Sequence, residues 1–159
     1  MRLGKDFFAR GALSVARELV GKRLVRNVGG STIEFVITEV SAHEGGTPTQ
    51  ARNGMGYAPG RIFLMPFRGR LFLNIATDHV GTPSCVFIRK GADITGERVL
   101  LLDGPAKLTK HLHIAEKMDG DALNSELWVE DTFVDPKLVT PGERGTAENC
   151  IGSFVYPVF

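Results

Sequence analysis

Residues 22–40, KRLVRNVGGSTIEFVITEV, decide the fold. Two runs of alternating apolar and polar residues flank Gly29-Gly30. This pattern predicts a β-hairpin with strands over 22–27 and 31–40. In the second strand Ile33, Phe35 and Ile37 share one face, and Glu39 is next on that face, extending the apolar row. Thr32, Glu34, Val36 and Thr38 occupy the other face, so Glu34 reads as solvated.

Working outward, Ala12, Leu13, Ala16, Leu19 and Val20 follow helical spacing and predict a helix over 10–20, with Gly21 able to stop it. Residues 41–60 are rich in Gly, Pro, Thr and Asn without periodicity. They read as a long loop, a feature that tends to be functional in a compact domain. Residues 61–67 and 70–77 predict a second hairpin turning at Arg68-Gly69, and 84–89 another strand with Cys85, Phe87 and Arg89 on one face. Gly104-Pro105 opens a helix running to Met118, proline suiting its first turn. Residues 126–133 and 151–159 supply further strand, Pro157 marking an edge or terminus. The expectation is an α+β fold in a single domain, residues 1–159, mainly antiparallel β-sheet with a protruding hairpin and a few packed helices.

The chain has 159 residues, 43% hydrophobic and 23% charged, with a net charge of +1. That composition excludes disorder, collagen and coiled coil, and no run approaches the roughly 20 apolar residues of a membrane span. The N-terminal MRLGKDFFARG lacks an apolar h-region, so the expected location is cytoplasmic (nucleoid-associated) or nuclear, without secretion. Cys85 and Cys150 are too few for a disulfide framework and read as buried thiols. No His or Cys spacing fits a metal, and GGSTIE lacks the spacing and lysine of a phosphate loop. Neither metal nor cofactor is expected.

The net charge conceals a division. Residues 1–90 carry 13 Lys+Arg against 6 Asp+Glu, whereas residues 91–159 carry 6 against 12. Residues 49–70 hold Arg52, Arg61, Arg68 and Arg70 with no acid. Such asymmetry points to a polyanion meeting one face, or to an ordinary solvated surface.

Three residues stand where an apolar side chain is expected: Glu39, Asn74 within LFLNI, and Arg89 after CVFI. Buried polar groups are costly unless paired, so each belongs either to a satisfied structural network or to a site. A carboxylate at a strand end beside a guanidinium suits general-base chemistry, with Glu39 and Arg89 holding and activating a water. The following segment adds His43, and the usual reading of a histidine in such a loop is a simply exposed one.

In order along the chain, FFARGALSVARELVGKRLVR, FVITEVSAHEGG, GMGYAPG, LFLNIAT, CVFIRKG, DGPAKLTKHLHI and SELWVE resemble the alkyladenine (3-methyladenine) DNA glycosylase family. The match is collinear over residues 5–130. The resemblance implies a monofunctional DNA glycosylase of base excision repair. Such an enzyme flips an alkylated or deaminated purine from double-stranded DNA and hydrolyses its N-glycosidic bond. It implies that Glu39 is the general base and that Arg89 helps hold the water. It further implies that Asn74 and His43 line the lesion pocket, and that GPAKL meets the DNA backbone with Lys107 as its cation. Where the family has pocket tyrosines this chain has Ser41 and Arg68, and Leu71 is the nearest counterpart of the family's aromatic wedge. Arg52, Arg61, Arg68, Arg70 and Lys107 are expected around a DNA-facing cleft, on a monomer that uses no cofactor. The alternatives are a non-catalytic nucleic-acid-binding module of the same fold, motivated by Ser41 and Arg68, and an unrelated small-molecule hydrolase built on Glu39 and Arg89.

Overall fold

Gly29 and Gly30 both take positive φ, 55° and 83°, and close the hairpin between β1 (Arg23–Val28) and β2 (Ser31–Glu44). Two consecutive left-handed residues match the twist of a tight hairpin, and glycine adopts them without a Cβ penalty. This architecture comes from a computed structural model that describes residues 1–45, 57–143 and 149–158.

Strand β2 runs past Val40 into the stretch expected to be loop. Residues 41–44 find their ladder partners on β5 (Ser84–Asp93) and β9 (Cys150–Val155). Those partners are remote in sequence, so local composition cannot announce them. β1 and β9 share one edge of β2, β1 taking Ser31–Val36 and β9 taking Glu39–His43. Across the sheet the order is β3 (Ile62–Phe67), β4 (Arg70–Ala76), β5, β2, β1 and β7 (Leu127–Glu130), every pairing antiparallel. β6 (Leu100–Leu102) adds to β5, and β8 (Thr140–Pro141) to β9. The α+β class is as expected from the sequence.

Among the described residues three helices accompany the sheet: α1 (Lys5–Phe8), α2 (Ala12–Leu19) and α3 (Pro105–His111). Ala12, Val15, Ala16 and Leu19 of α2 are fully buried against β2 and β9. α3 begins at Pro105 as expected but stops at His111 rather than Met118. The reason is tertiary: the buried Arg26 side chain donates to the carbonyls of Leu112 (2.9 Å) and His113 (3.0 Å). His113 turns to φ 52°, and only a 3-10 turn at Glu116–Met118 follows. β7 is likewise shorter than the expected 126–133, because Asp131 and the Thr132 carbonyl leave the sheet to receive Lys22 Nζ at 2.9 and 2.8 Å. β9 covers the start of the expected 151–159 and stops at Val155.

The main core lies on one side of the sheet, with Phe35, Ile37, Leu73, Ile75 and Ile88 fully buried beneath the helices, and a smaller buried cluster of Phe63 and Cys85 lies on the other. Gly91 is required in the main core, since a Cβ would stand 2.0 Å from the Phe35 ring. Among the described residues no helix is long and apolar enough to cross a membrane.

Candidate active site

The site begins with a break in register. On β2 the core residues are Phe35, Ile37, Val40 and Ala42, so Thr38 and Glu39 fall together off the core face. On β5 the pairing shifts at the same place, Ile37 opposing Gly91, Glu39 opposing Lys90 and Val40 opposing Ile88. The matched irregularity overturns the expectation that Glu39 extends the Ile33–Phe35–Ile37 row. A bulge re-aims a side chain without ending the strand, and this one places Glu39 on the face of Ser41 and His43. Arg89 Nε then lies 3.4 Å from Glu39 Oε2, and Lys90 Nζ lies 4.0 Å from Oε1. The Glu39 side chain is 14% exposed, and a cavity of about 240 Å³ opens beside it between Lys90, Leu101, Val155 and Tyr156.

Next to the bulge, one row of cross-strand partners runs over five strands. Ser153, Ser41, Phe87, Asn74 and Phe63 oppose one another in turn from β9 to β3. Sheet pleating puts all five on one face, opposite the α2 side. Ser41 is fully buried and its hydroxyl is 2.8 Å from His43 Nε2, while His43 Nδ1 is 3.5 Å from Asn149 Oδ1. Burial lowers the His43 pKa from its ordinary value. The hydrogen bond with Asn149 opposes that shift, and the Arg89 charge adds to it. His43 is therefore a neutral, oriented imidazole on a strand. Asn74 is held at both ends of its amide: Nδ2 donates to the Phe72 carbonyl at 3.3 Å, and Oδ1 accepts from Cys85 Sγ at 3.6 Å. Burial pushes the Cys85 thiol up to about 12, so it acts as a weak donor and not as a nucleophile.

Aromatic rings on this face were not singled out by sequence reasoning. Phe67 and Phe72 stack with centroids 5.3 Å apart, as do Phe72 and Phe87. The Arg68 guanidinium sits 5.2 Å from the Phe67 ring, and that of Arg89 sits 5.1 Å from Phe87. The result is a stack leading from the β3–β4 turn to the partner of Glu39. Its signal was available: Phe72, like Phe87, has the pleat parity of a singled-out polar residue, two positions from Asn74 and Arg89 respectively. Lys90 and Asn149 were also missed, because the first depends on the bulge and the second on a long-range contact.

Arg68 (φ 50°) and Gly69 (φ 78°) form the exposed tip of the protruding hairpin. Leu71 packs against the core, and its carbonyl accepts a 2.8 Å hydrogen bond from Thr109 of α3. Arg70, Leu71, Lys107 and Lys110 border one groove of about 510 Å³ between the hairpin and α3. Lys107 also meets Asp103 at 2.8 Å in an exposed pair. Arg61 stands at the far end of β3 and donates to the Gly120 carbonyl at 3.1 Å, away from that groove. Arg52 lies outside the described residues. The structure thus brings Glu39, Arg89, Ser41, His43 and Asn74 to one face and collects Arg70 and Lys107 beside the hairpin.

The curled, mainly antiparallel sheet with few helices matches the fold of a known class of DNA glycosylases. Residues 6–148 match the family described as Methylpurine-DNA glycosylase (MPG), and the chain belongs to that family. It is 30% identical over 161 residues to the "Putative 3-methyladenine DNA glycosylase" of Methanocella arvoryzae, covering 86% of this chain and 80% of that protein. Proteins of the same description in Streptomyces avermitilis and Anaeromyxobacter dehalogenans are 31% and 32% identical, covering 89% and 91% of this chain and 79% and 75% of theirs.

Proposed function

We propose that this chain is a monofunctional DNA glycosylase that extrudes an alkylated or deaminated purine from double-stranded DNA and hydrolyses its N-glycosidic bond, acting as a monomer without a cofactor. The observation that carries the reading is the Glu39–Arg89 pair, lifted off the core face by a bulge onto the same surface as Asn74 and His43.

Chemistry on a stacked base requires its extrusion, which costs least for a damaged or mispaired nucleotide. In the proposed step Glu39 accepts a proton from water as the water oxygen bonds to C1′ and the C1′–N bond breaks. The bond's electron pair leaves with the base. The sugar passes through an oxocarbenium-like state that the carboxylate stabilises. Arg89 orients the carboxylate and the water. A cationic alkylpurine departs without help, whereas a neutral deaminated purine needs a proton. Asn74 and His43 line the pocket, the fully buried Ser41 holds the His43 ring from beneath, and Cys85, Phe72 and Asn149 fix the remaining polar atoms. Arg70 and Lys107 meet the phosphates beside the hairpin.

The test is release of base from duplexes carrying N3-methyladenine, hypoxanthine or ethenoadenine, with Glu39→Gln as control. Abasic sites from at least one lesion, abolished in the variant, support the reading. No release from any of them by folded protein at high concentration rejects it. Salt-dependent binding that survives Glu39→Gln without any release would leave the binding-module reading. The monofunctional assignment is checked at Lys90, whose ammonium is 4.0 Å from Glu39. Borohydride should trap no covalent protein–DNA adduct.

A further inference from the structure

Resting on the glycosylase reading, we propose that Lys90 binds a phosphodiester of the damaged nucleotide itself, and that this contact seats C1′ of the extruded sugar against Glu39. The matched irregularity in β2 and β5 is what makes the lysine available. In a regular strand Arg89 and Lys90 would point to opposite faces. Here one extra residue on each strand, Thr38 on β2 and Arg89 on β5, lets both cations approach one carboxylate. Arg89 Nε lies 3.4 Å from Oε2 and Lys90 Nζ 4.0 Å from Oε1. A bulge re-aims a side chain next to a site, and this paired one re-aims two.

The two cations do different work. Arg89 is 28% exposed, lies nearer the carboxylate and also rests against the Phe87 ring. Lys90 is 48% exposed and too far from Glu39 for a hydrogen bond, so that contact leaves its three N–H donors for a further ligand. It lines the cavity of about 240 Å³ together with Glu39, Leu101 and Asp103. Asp103 in turn meets Lys107 Nζ at 2.8 Å, and Lys107 borders the groove beside the hairpin. The Lys107 hydrogen bond foremost, and the Lys90 charge after it, hold the Asp103 carboxyl below its ordinary range, so both ammonium groups act on that one acid. A DNA strand whose backbone follows the groove past Lys107 and whose extruded sugar reaches Glu39 therefore passes Lys90. Charge fits the same ligand. Arg89, Lys90 and Lys107 stand by Glu39 and Asp103, leaving one positive charge in excess, and a phosphodiester carries one negative charge. Without that excess, the Glu39 carboxylate would repel the phosphates on either side of the sugar it must approach. A lysine serves as a point charge for such a phosphate and needs no fixed fork.

The test pairs the lysine with the linkage it binds. Single-turnover release of hypoxanthine and ethenoadenine is measured with saturating full chain, as wild type, Lys90→Met and Lys90→Arg. The duplexes are unmodified, or carry an uncharged methylphosphonate in place of the 5′ or the 3′ phosphodiester of the lesion. On the unmodified duplex Lys90→Met should lower the rate roughly 10- to 100-fold, the cost of a misplaced reacting centre, and Lys90→Arg should retain most of it. Replacing the contacted linkage should slow the wild type by a similar factor, and Lys90→Met should then lose less than about twofold more. Replacing the other linkage should leave the full cost of Lys90→Met in place. A lysine that merely braces Glu39 or the sheet would cost the same factor on all three duplexes. That result, or an unchanged rate in Lys90→Met on the unmodified duplex, overturns the inference while the glycosylase reading stands. A wild type that releases neither lesion from the unmodified duplex rejects the glycosylase reading and this inference with it.

Discussion

The two faces of β4 are built on opposite rules. Leu71, Leu73 and Ile75 look into the core, and the last two have no exposed surface. Phe72 and Asn74, the residues between them, look toward Ser41 and Phe87, and the Asn74 amide is held by hydrogen bonds at both ends. One face is governed by close packing, where volume matters and polarity is excluded. On the other, polar atoms are oriented and rings are stacked from the buried Phe87 out to the exposed Phe67. Strand β2 shows how narrowly the two are separated, since a single bulge moves Glu39 from the first rule to the second.

The sharpest way to break this comparison is to alter each face alone. Glu39→Gln keeps the side-chain volume and removes the base, so base release should fall by about 10² to 10⁴. The melting temperature should stay within a few degrees of wild type, because partly exposed ion pairs contribute little to stability. Leu73→Ala should do the reverse, costing about 2–5 kcal/mol in denaturant titration, with the activity of the remaining folded protein retained. If Glu39→Gln unfolds the chain, or if Leu73→Ala abolishes release without loss of stability, the separation of faces fails.

The packed face was the legible one. Period-two alternation places β1, the first part of β2, β3 and β4, and helical spacing places α2, because each of these patterns reports burial within one local segment. On the site face, Glu39, Asn74 and Arg89 were legible as polar residues in apolar runs. What makes them a site was hidden, since the paired bulge depends on how β2 and β5 align and not on either sequence alone. The extension of β2 through His43 was hidden for a similar reason: its partners on β9 are more than a hundred positions away. The end of α3 was concealed in Arg26, a strand residue whose guanidinium takes the carbonyls of Leu112 and His113 just past the helix.

A smaller effect sharpens the comparison at His43, a titratable group buried on the site face. Burial lowers its pKa, so the folded chain binds this proton less readily than the unfolded chain. Its contribution to stability is therefore complete above the ordinary histidine value of 6.5 and is lost as the pH falls toward and through the lowered folded value. Melting temperatures measured from pH 7.5 to 5 should decline, and His43→Asn should flatten that decline. An equal slope in the variant would show that the buried imidazole is not its source.

The smallest effects concern charge, where the near-neutral total conceals a local arrangement. Arg70, Lys107 and Lys110 border the groove beside the hairpin, whereas Arg61 stands about 20 Å away at the other end of β3, given roughly 3.3 Å per strand residue. Lys107 is already engaged by Asp103 in an exposed pair that gains little from being intact, so it remains available to a phosphate. Each phosphate contact releases a counterion and adds close to one unit to the slope of log affinity against log salt. Arg70→Ala and Lys110→Ala should each flatten that slope by about one unit on undamaged duplex, and Arg61→Ala should leave it unchanged. Equal losses from all three variants would mean that the basic side chains act as a diffuse field, and that the groove between the hairpin and α3 has no special part in holding the backbone.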